Sequence, residues 1–444
     1  MQAFSDFWAA AVDIAWGLPL VILLVSAGLY FTIRSKFLPF RAMRHAIDIL
    51  RGKFDKPTDP GEITHFQALT SALSATIGMG NIAGVAVAIS MGGPGAIFWM
   101  WIAGLVGMST KFFTCTLACL YRKPDERGVE QGGPMYFIEV GLGKAFKPLA
   151  IMFAVCGMIG CLALFQVNQL AAIIGGSDQV IRIGIGTVSM IIVGGVILGG
   201  IVRVGKVTSK LVPGMTILYV ASALFIILSN ASQVPGLIGL IIKSAFGGEA
   251  VVGGAAGFAF KEVLITGIRR AAFSNEAGIG TAPMAHGAAK TKEPIREGLI
   301  AMLGPFIDTN IICTLTGLII LSTGVGVESD GIVMTANAFE ETLGVLGLPI
   351  LITVVSLFAV STMISYSYYG LKCAKYLFGS KKGQLYVYPY LISLPIAAWL
   401  QQDTVINIID TCFALMAIPT LTSTLLLSGK VVAALKDYYQ RMKL

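Results

Sequence analysis

The residues best equipped for chemistry lie where a helix would be expected to run uninterrupted. Ser71, Ser74 and Thr76 are followed by Gly78, Gly80 and Asn81 inside an apolar stretch long enough to cross a bilayer. Glycines loosen a helix, and every backbone N–H or C=O they release must find a partner in a medium without water. A second cluster, "FSNEAGIGTAP" from Phe273 to Pro283, places Ser274, Asn275, Glu276, Gly278, Gly280 and Thr281 in another apolar stretch. The chemistry open to such groups is binding of ions and zwitterions. A half-helix that starts at Met79, Gly80 and Asn81 offers free N–H groups and a positive dipole end to a carboxylate. The carbonyls released around Ser74 to Ile77 point the other way and suit a cation. One glycine-rich helix alone would more simply be a packing face. Two polar breaks argue for a ligand.

Four carboxylates fall in or near apolar segments: Glu262, Glu276, Asp308 and Asp410. Charged groups there are costly and usually face the bundle interior or a water-filled path. Asp308, beside Thr309 and Asn310, is a candidate second cation or proton site. Glu276 is expected to pair with Arg269 or Arg270 about two turns earlier, and Asp410 to be solvated near the outer end of its helix. His65 and His286 flank the two breaks and are expected at the membrane interface. The seven cysteines all lie in apolar segments, and Cys115 and Cys119 have no companions that would complete a metal set.

The elements that must position these groups follow from composition. The chain is 55% hydrophobic and 13% charged, with mean hydropathy +0.80. Its apolar blocks are about 20 residues long, the length of a membrane-crossing helix. This is an all-α polytopic membrane protein. About eleven spans are expected, near 14–34, 67–90, 94–120, 148–174, 182–203, 209–230, 254–280, 297–322, 345–372, 385–401 and 404–430. The apolar stretch Val234 to Phe246 is too short to cross and is expected at the outer interface. Net charge is +8, but most of the 32 Lys and Arg residues sit in loops after odd-numbered spans, against Arg182 and Lys243 on the other side. The positive-inside bias then puts the N-terminus outside and the C-terminus in the cytoplasm. The basic amphipathic segment from Arg41 to Lys56 is expected on the inner leaflet, attracted to anionic lipid. The first segment has Asp6 and Asp13 and no basic residue, unlike a cleaved signal peptide, so the first apolar block is read as a retained span. One break falls in the second span and the other in the seventh, entered from opposite sides. That is the layout of an inverted repeat, spans 2–6 (67–230) against spans 7–11 (254–430), with 14–34 outside the pair in one transmembrane domain.

The motifs "GGPGAIFWMWIAGLVG" (Gly92 to Gly107), "GGPMYFIEVGLG" (Gly132 to Gly143) and "RRAAFSNEAGIGTAP" resemble those of the alanine or glycine:cation symporter family, from Phe66 to about Ser428. The resemblance implies a leucine-transporter (LeuT-type) fold with one extra N-terminal helix, and uptake of alanine or glycine coupled to Na⁺ or, in some members, H⁺. It implies a Na⁺ site made by the Ser74 and Ile77 carbonyls opposite the Ser361 and Thr362 hydroxyls, with the Phe358 carbonyl as a further ligand. It also implies that the Met79 and Gly80 amides hold the substrate carboxylate, with Asn81 beside them. The Thr76 carbonyl and the unwound stretch Phe273 to Glu276, including Ser274 and Asn275, would face the ammonium group. Gln166 and Asn168 are too deep to go unpartnered; they are read as substrate-facing amides, the alternative being bonds between helices. Phe165 and Phe273 would bound a pocket too small for branched side chains.

The reading is a secondary-active symporter in a prokaryotic inner membrane, without catalysis, enzymatic cofactor or nucleic-acid partner; its ligands are alanine or glycine, Na⁺ and lipid. H⁺ coupling, another small neutral amino acid, or a channel remain as alternatives. A membrane enzyme would need an HExxH, paired aspartates or a Ser–His arrangement at depth, and the sequence shows none of these.

Overall fold

The computed structural model describes residues 2–55, 58–126, 128–246, 254–324 and 331–442. The chain enters through α1 (Gln2–Ala15) and α2 (Leu18–Arg34), which meet at a 45° bend. A broken helix follows, α3 (His65–Thr76) and α4 (Met79–Gly92), then α5 (Gly95–Leu120). Next come α6 (Lys147–Gly160), α7 (Leu164–Gly175), α8 (Gln179–Ile197) and α9 (Gly200–Ser229). The second broken helix is α10 (Gly254–Asn275) and α11 (Ala282–His286). Then α12 (Pro294–Ala301) leads through a π-helical segment, Phe306–Cys313, into α13 (Thr314–Ser322). The chain finishes with α14 (Ile332–Leu343), α15 (Gly347–Gly383), α16 (Val387–Trp399) and α17 (Gln402–Met442).

Helices stand at all eleven expected positions, but length and hydropathy alone qualify eight described helical stretches as spans, or nine with the bent α1–α2 pair. Two physical reasons account for the lower number. The run 332–399 is helical nearly throughout and merges the ninth and tenth expected spans, although Gly379 turns the chain at φ +79°. In turn, α10 carries Lys261, Glu262, Arg269 and Arg270, too much charge for a span judged by composition. The expected boundary between 182–203 and 209–230 also moves. The turn lies at Leu198–Gly199, and Arg203, Lys206 and Lys210 stand on the first turns of α9. There Arg203 Nη1 donates to the Gly195 carbonyl (3.0 Å), so the charge caps α8. The stretch from Val234 is a short helix, Val234–Ala245.

Local chemistry sets the ends that matter. Thr64 caps α3 with a reciprocal box: Gln67 N–H donates to Thr64 Oγ1 (3.2 Å) and Thr64 N–H to Gln67 Oε1 (3.0 Å). The α3–α4 pair is buried over nearly all of its apolar length, whereas α8 leaves most of its surface outward. The broken helix is therefore the centre of the bundle. It packs on α9, α10 and α15, and α10 lies along α5.

Candidate functional site

The first break is two residues long. Ile77 ends α3 at ψ 94° and Gly78 is extended. Gly78 N–H donates to Asn81 Oδ1 (2.7 Å), and Asn81 N–H to the Gly78 carbonyl (3.1 Å). The Met79 and Gly80 N–H groups are left as first-turn donors with no backbone acceptor among the described residues. In the second break the chain turns through left-handed conformations at Glu276 (φ +54°), Gly278 (φ +90°) and Gly280 (φ +102°). For a glutamate that costs about 1–2 kcal/mol, so the surroundings must hold it there. They do: Glu276 accepts from the Thr281 and Tyr366 hydroxyls, and it is fully buried.

The residues expected to hold a cation converge. Thr362 Oγ1 donates to the Ser74 carbonyl (2.9 Å), which Ser361 Oγ also approaches (3.4 Å). Both hydroxyls reach the Phe358 carbonyl, at 3.1 and 2.9 Å, and Ser74 Oγ donates to the Ser361 carbonyl (2.6 Å). A β-carbon on Gly78 would stand 2.5 Å from Thr362 Oγ1, so only glycine lets α15 come this close. The donor set is two carbonyls and two hydroxyls, uncharged and hard, which suits a monovalent cation. Ile77 is buried at the same break.

Asp308 joins the two breaks. Asn81 Nδ2 donates to Asp308 Oδ1 (2.7 Å), while Ser274 Oγ (2.9 Å) and Thr309 Oγ1 (2.8 Å) donate to Asp308 Oδ2. The π-helical segment aims Asp308 and Thr309 inward together; such widened turns recur at functional sites. Lys111 on α5 is buried and lies within electrostatic reach of both Glu276 and Asp308.

The breaks also touch directly. A β-carbon on Gly80 would lie 3.3 Å from Ser274 Cα and 3.4 Å from the Phe273 ring. Phe165 meets Phe273 edge to face with centroids 5.2 Å apart, and Phe413 tilts against Phe273 at 5.9 Å. Gln166 is buried beside Phe165, and its Oε1 has no partner among the described residues. Thr76 Oγ1 bonds back to the Ala72 carbonyl (3.3 Å).

Other expected partners are elsewhere. Asn168 donates to the Ala397 (2.9 Å) and Leu400 (2.8 Å) carbonyls and fastens α7 to α16, which is the alternative of bonds between helices. Asn275 donates to Thr309 Oγ1 (2.9 Å) and accepts from Ala277 N–H (2.9 Å), so its amide braces the break. Glu276 does not pair with Arg269 or Arg270. Both arginines hold Asp410, Arg269 through Nε (2.9 Å) and Nη2 (2.6 Å), and Asp410 is fully buried and not solvated. His65 and His286 are buried as well: each contacts one oxygen of Glu297, the second at 2.6 Å. Partner choice across helices depends on tertiary packing, and one sequence does not display it.

Sequence reasoning missed three features here. The span expected at 148–174 is itself broken at Cys161–Ala163, where Ala163 takes φ +55° just before Phe165 and Gln166. Lys111 was readable as a lone charge in an otherwise uncharged helix. Arg122 has no such signal. It donates to the carbonyls of Ala289 (2.7 Å), Pro60 (3.1 Å) and Thr291, clamping two strand-like segments that pair in parallel at Ile63 and Ala289.

On the opposite side from Arg122, a cavity of about 490 Å³ is lined by Asp13, Glu262, Arg269, Arg270, Asp403 and Asn407. The cavity reaches Arg269 and Arg270 on one side of the breaks, and on the other residues 60–63 pair with 288–291.

Comparison with known proteins agrees with this architecture. The family model described as "Sodium:alanine symporter family" matches residues 1–444. The chain is 39% identical to "Sodium/alanine symporter AgcS" of Methanococcus maripaludis, with 96% of each chain covered. It is 36% identical to "Probable sodium/glutamine symporter GlnT" of Bacillus subtilis, covering 100% of this chain and 92% of the relative. Among solved structures, MhsT in complex with L-phenylalanine superposes with TM-score 0.59 at 14% identity, covering 81% of this chain and 89% of that one. That likeness is one of fold, the LeuT type.

Proposed function

Because this chain belongs to the sodium:alanine symporter family, and is therefore a multi-pass membrane transporter and not an enzyme, we propose that it imports alanine and/or glycine with Na⁺ by alternating access around the two breaks. The observation that carries this reading is the convergence of the Ser74 and Phe358 carbonyls with the Ser361 and Thr362 hydroxyls, one turn from the free N–H groups of Met79 and Gly80. The cation occupies the hydroxyl–carbonyl cage. The substrate carboxylate sits at the start of α4 and its ammonium group faces the Thr76 carbonyl and the unwound Phe273–Glu276 stretch. Gln166 Oε1 supplies a further acceptor. Phe165, Phe273 and Phe413 close the pocket against longer side chains.

In this reading the two five-helix repeats are 67–230 and 254–430, and the Arg122 side is cytoplasmic, as the basic loops indicate. The occupied cage holds α3 against α15, and loss of the ion frees α3 to swing away from the Ile63–Ala289 pairing. Asp308, bonded to both breaks, is the second coupling group, for a cation or a proton.

Competition against labelled alanine tests the substrate. Glycine is expected to compete, and leucine and glutamine to fail; effective competition by glutamine with none by glycine would reassign the pocket to a larger amide substrate.

A further inference from the structure

We propose that a basic pocket where α2 ends against α17 binds the phosphate headgroup of an anionic phospholipid from the adjoining leaflet. The pocket has a volume of about 180 Å³, and four cations line it: Arg34, Lys36, Arg41 and Lys436, with Leu38 and Tyr439 as apolar wall. It exists because the chain turns sharply after α2. Lys36 and Phe37 both take left-handed φ, +55° and +57°, and the helix Leu38–Arg41 that follows shares the pocket wall with α17.

Two observations show what fits. The first is charge without compensation. Among the described residues no carboxylate stands within ion-pair reach of Arg34, Lys36, Arg41 or Lys436, whereas Lys53 pairs with Asp48 and Arg441 with Glu293 and Asp437. Arg41 has one long bond, 3.4 Å to the Lys36 carbonyl. Four like charges around one pocket repel one another, and an anion at their centre removes that cost. The second is the apolar approach. Leu29 and Ile33 on α2, and Phe37 and Phe40 at its end, are exposed by 49, 58, 53 and 58%. A single lipid covers both features, with phosphate among the cations and acyl chains along α2. Each base near an anionic surface adds attraction, so the set discriminates against zwitterionic lipid.

The test is native mass spectrometry of the purified full chain titrated with dioleoyl-phosphatidylglycerol or dioleoyl-phosphatidylcholine. The variant Arg34→Gln/Lys36→Gln/Arg41→Gln/Lys436→Gln is compared with a control that loses the same charge elsewhere, Lys206→Gln/Lys210→Gln/Lys381→Gln/Lys382→Gln. All eight residues are exposed, so both variants are expected to fold. Phosphatidylglycerol affinity is expected to fall about tenfold or more in the pocket variant only. It is expected to survive an equal concentration of inorganic phosphate. Equal losses in both variants, no loss in either, no preference over phosphatidylcholine, or displacement by phosphate alone would each overturn the proposal.

Discussion

At the residue scale, Gly78 is the position on which the proposed cage depends. Its backbone is extended, a conformation open to any residue, so the constraint is contact with Thr362. Gly78→Ala should push Thr362 aside and raise the half-saturating Na⁺ concentration about tenfold, the effect of losing roughly one charge-assisted ligand. An unchanged Na⁺ dependence in that variant would move the cation elsewhere. Phe165→Ala should leave alanine uptake measurable and let glutamine compete, since it removes one ring of the aromatic trio; a pocket as selective as before would mean the rings do not set its size. Features set by one helix's own chemistry were legible in the sequence: the break at Gly78, the free amides at Met79 and Gly80, and the break across Phe273 to Pro283. Partnerships across helices were not. Asp410 reads as solvated and Glu276 as arginine-paired until α17 is seen to bring Asp410 under Arg269 and Arg270.

At the element scale, the half-helices α3 and α4 are useful because they are short and held from different sides. The cage fixes the end of α3 to α15, whereas Asn81 ties α4 to Asp308 in the π-helical segment. The other end of α3 is held by Arg122 and by the pairing of residues 60–63 with 288–291. If this pairing is the cytoplasmic gate, Arg122→Ala should favour the inward-open form. Cys119 reports on it, being buried with its Sγ against the His286 carbonyl at 3.3 Å. With the other six cysteines replaced, maleimide should modify Cys119 at least severalfold faster in the variant; equal rates would place the gate elsewhere. The broken helices were legible because two interruptions mixing glycine with polar residues, at matching places in the two halves, exceed what a packing face needs. The break before Phe165 was not, because "GCLAL" contains nothing that forbids a helix, and Ala163 adopts φ +55° only through its surroundings.

At the scale of the whole molecule, a helical bundle with two broken helices was legible in the sequence because lipid leaves a chain few options: helices of about 20 residues, with interruptions only where protein or water satisfies the backbone; the LeuT type came through the family resemblance and is shown by the likeness of fold to MhsT. A count by length and hydropathy alone passes over α10, whose Arg269 and Arg270 are compensated by Asp410 in the interior, although the sequence reading places a span there at 254–280. In the proposed cycle, the cavity that reaches Arg269 and Arg270 and the pairing of residues 60–63 with 288–291 belong to opposite sides of the breaks. The measurement that tests the central claim most directly is uptake of labelled alanine into proteoliposomes under an inward Na⁺ gradient. It would be compared with equal Na⁺ on both sides and with a proton gradient alone, for the unaltered chain and for Ser361→Ala/Thr362→Ala. The account predicts accumulation only with the Na⁺ gradient, and a half-saturating Na⁺ concentration at least about tenfold higher in the double variant. Accumulation driven by the proton gradient alone, or a double variant with unchanged Na⁺ dependence, would contradict it.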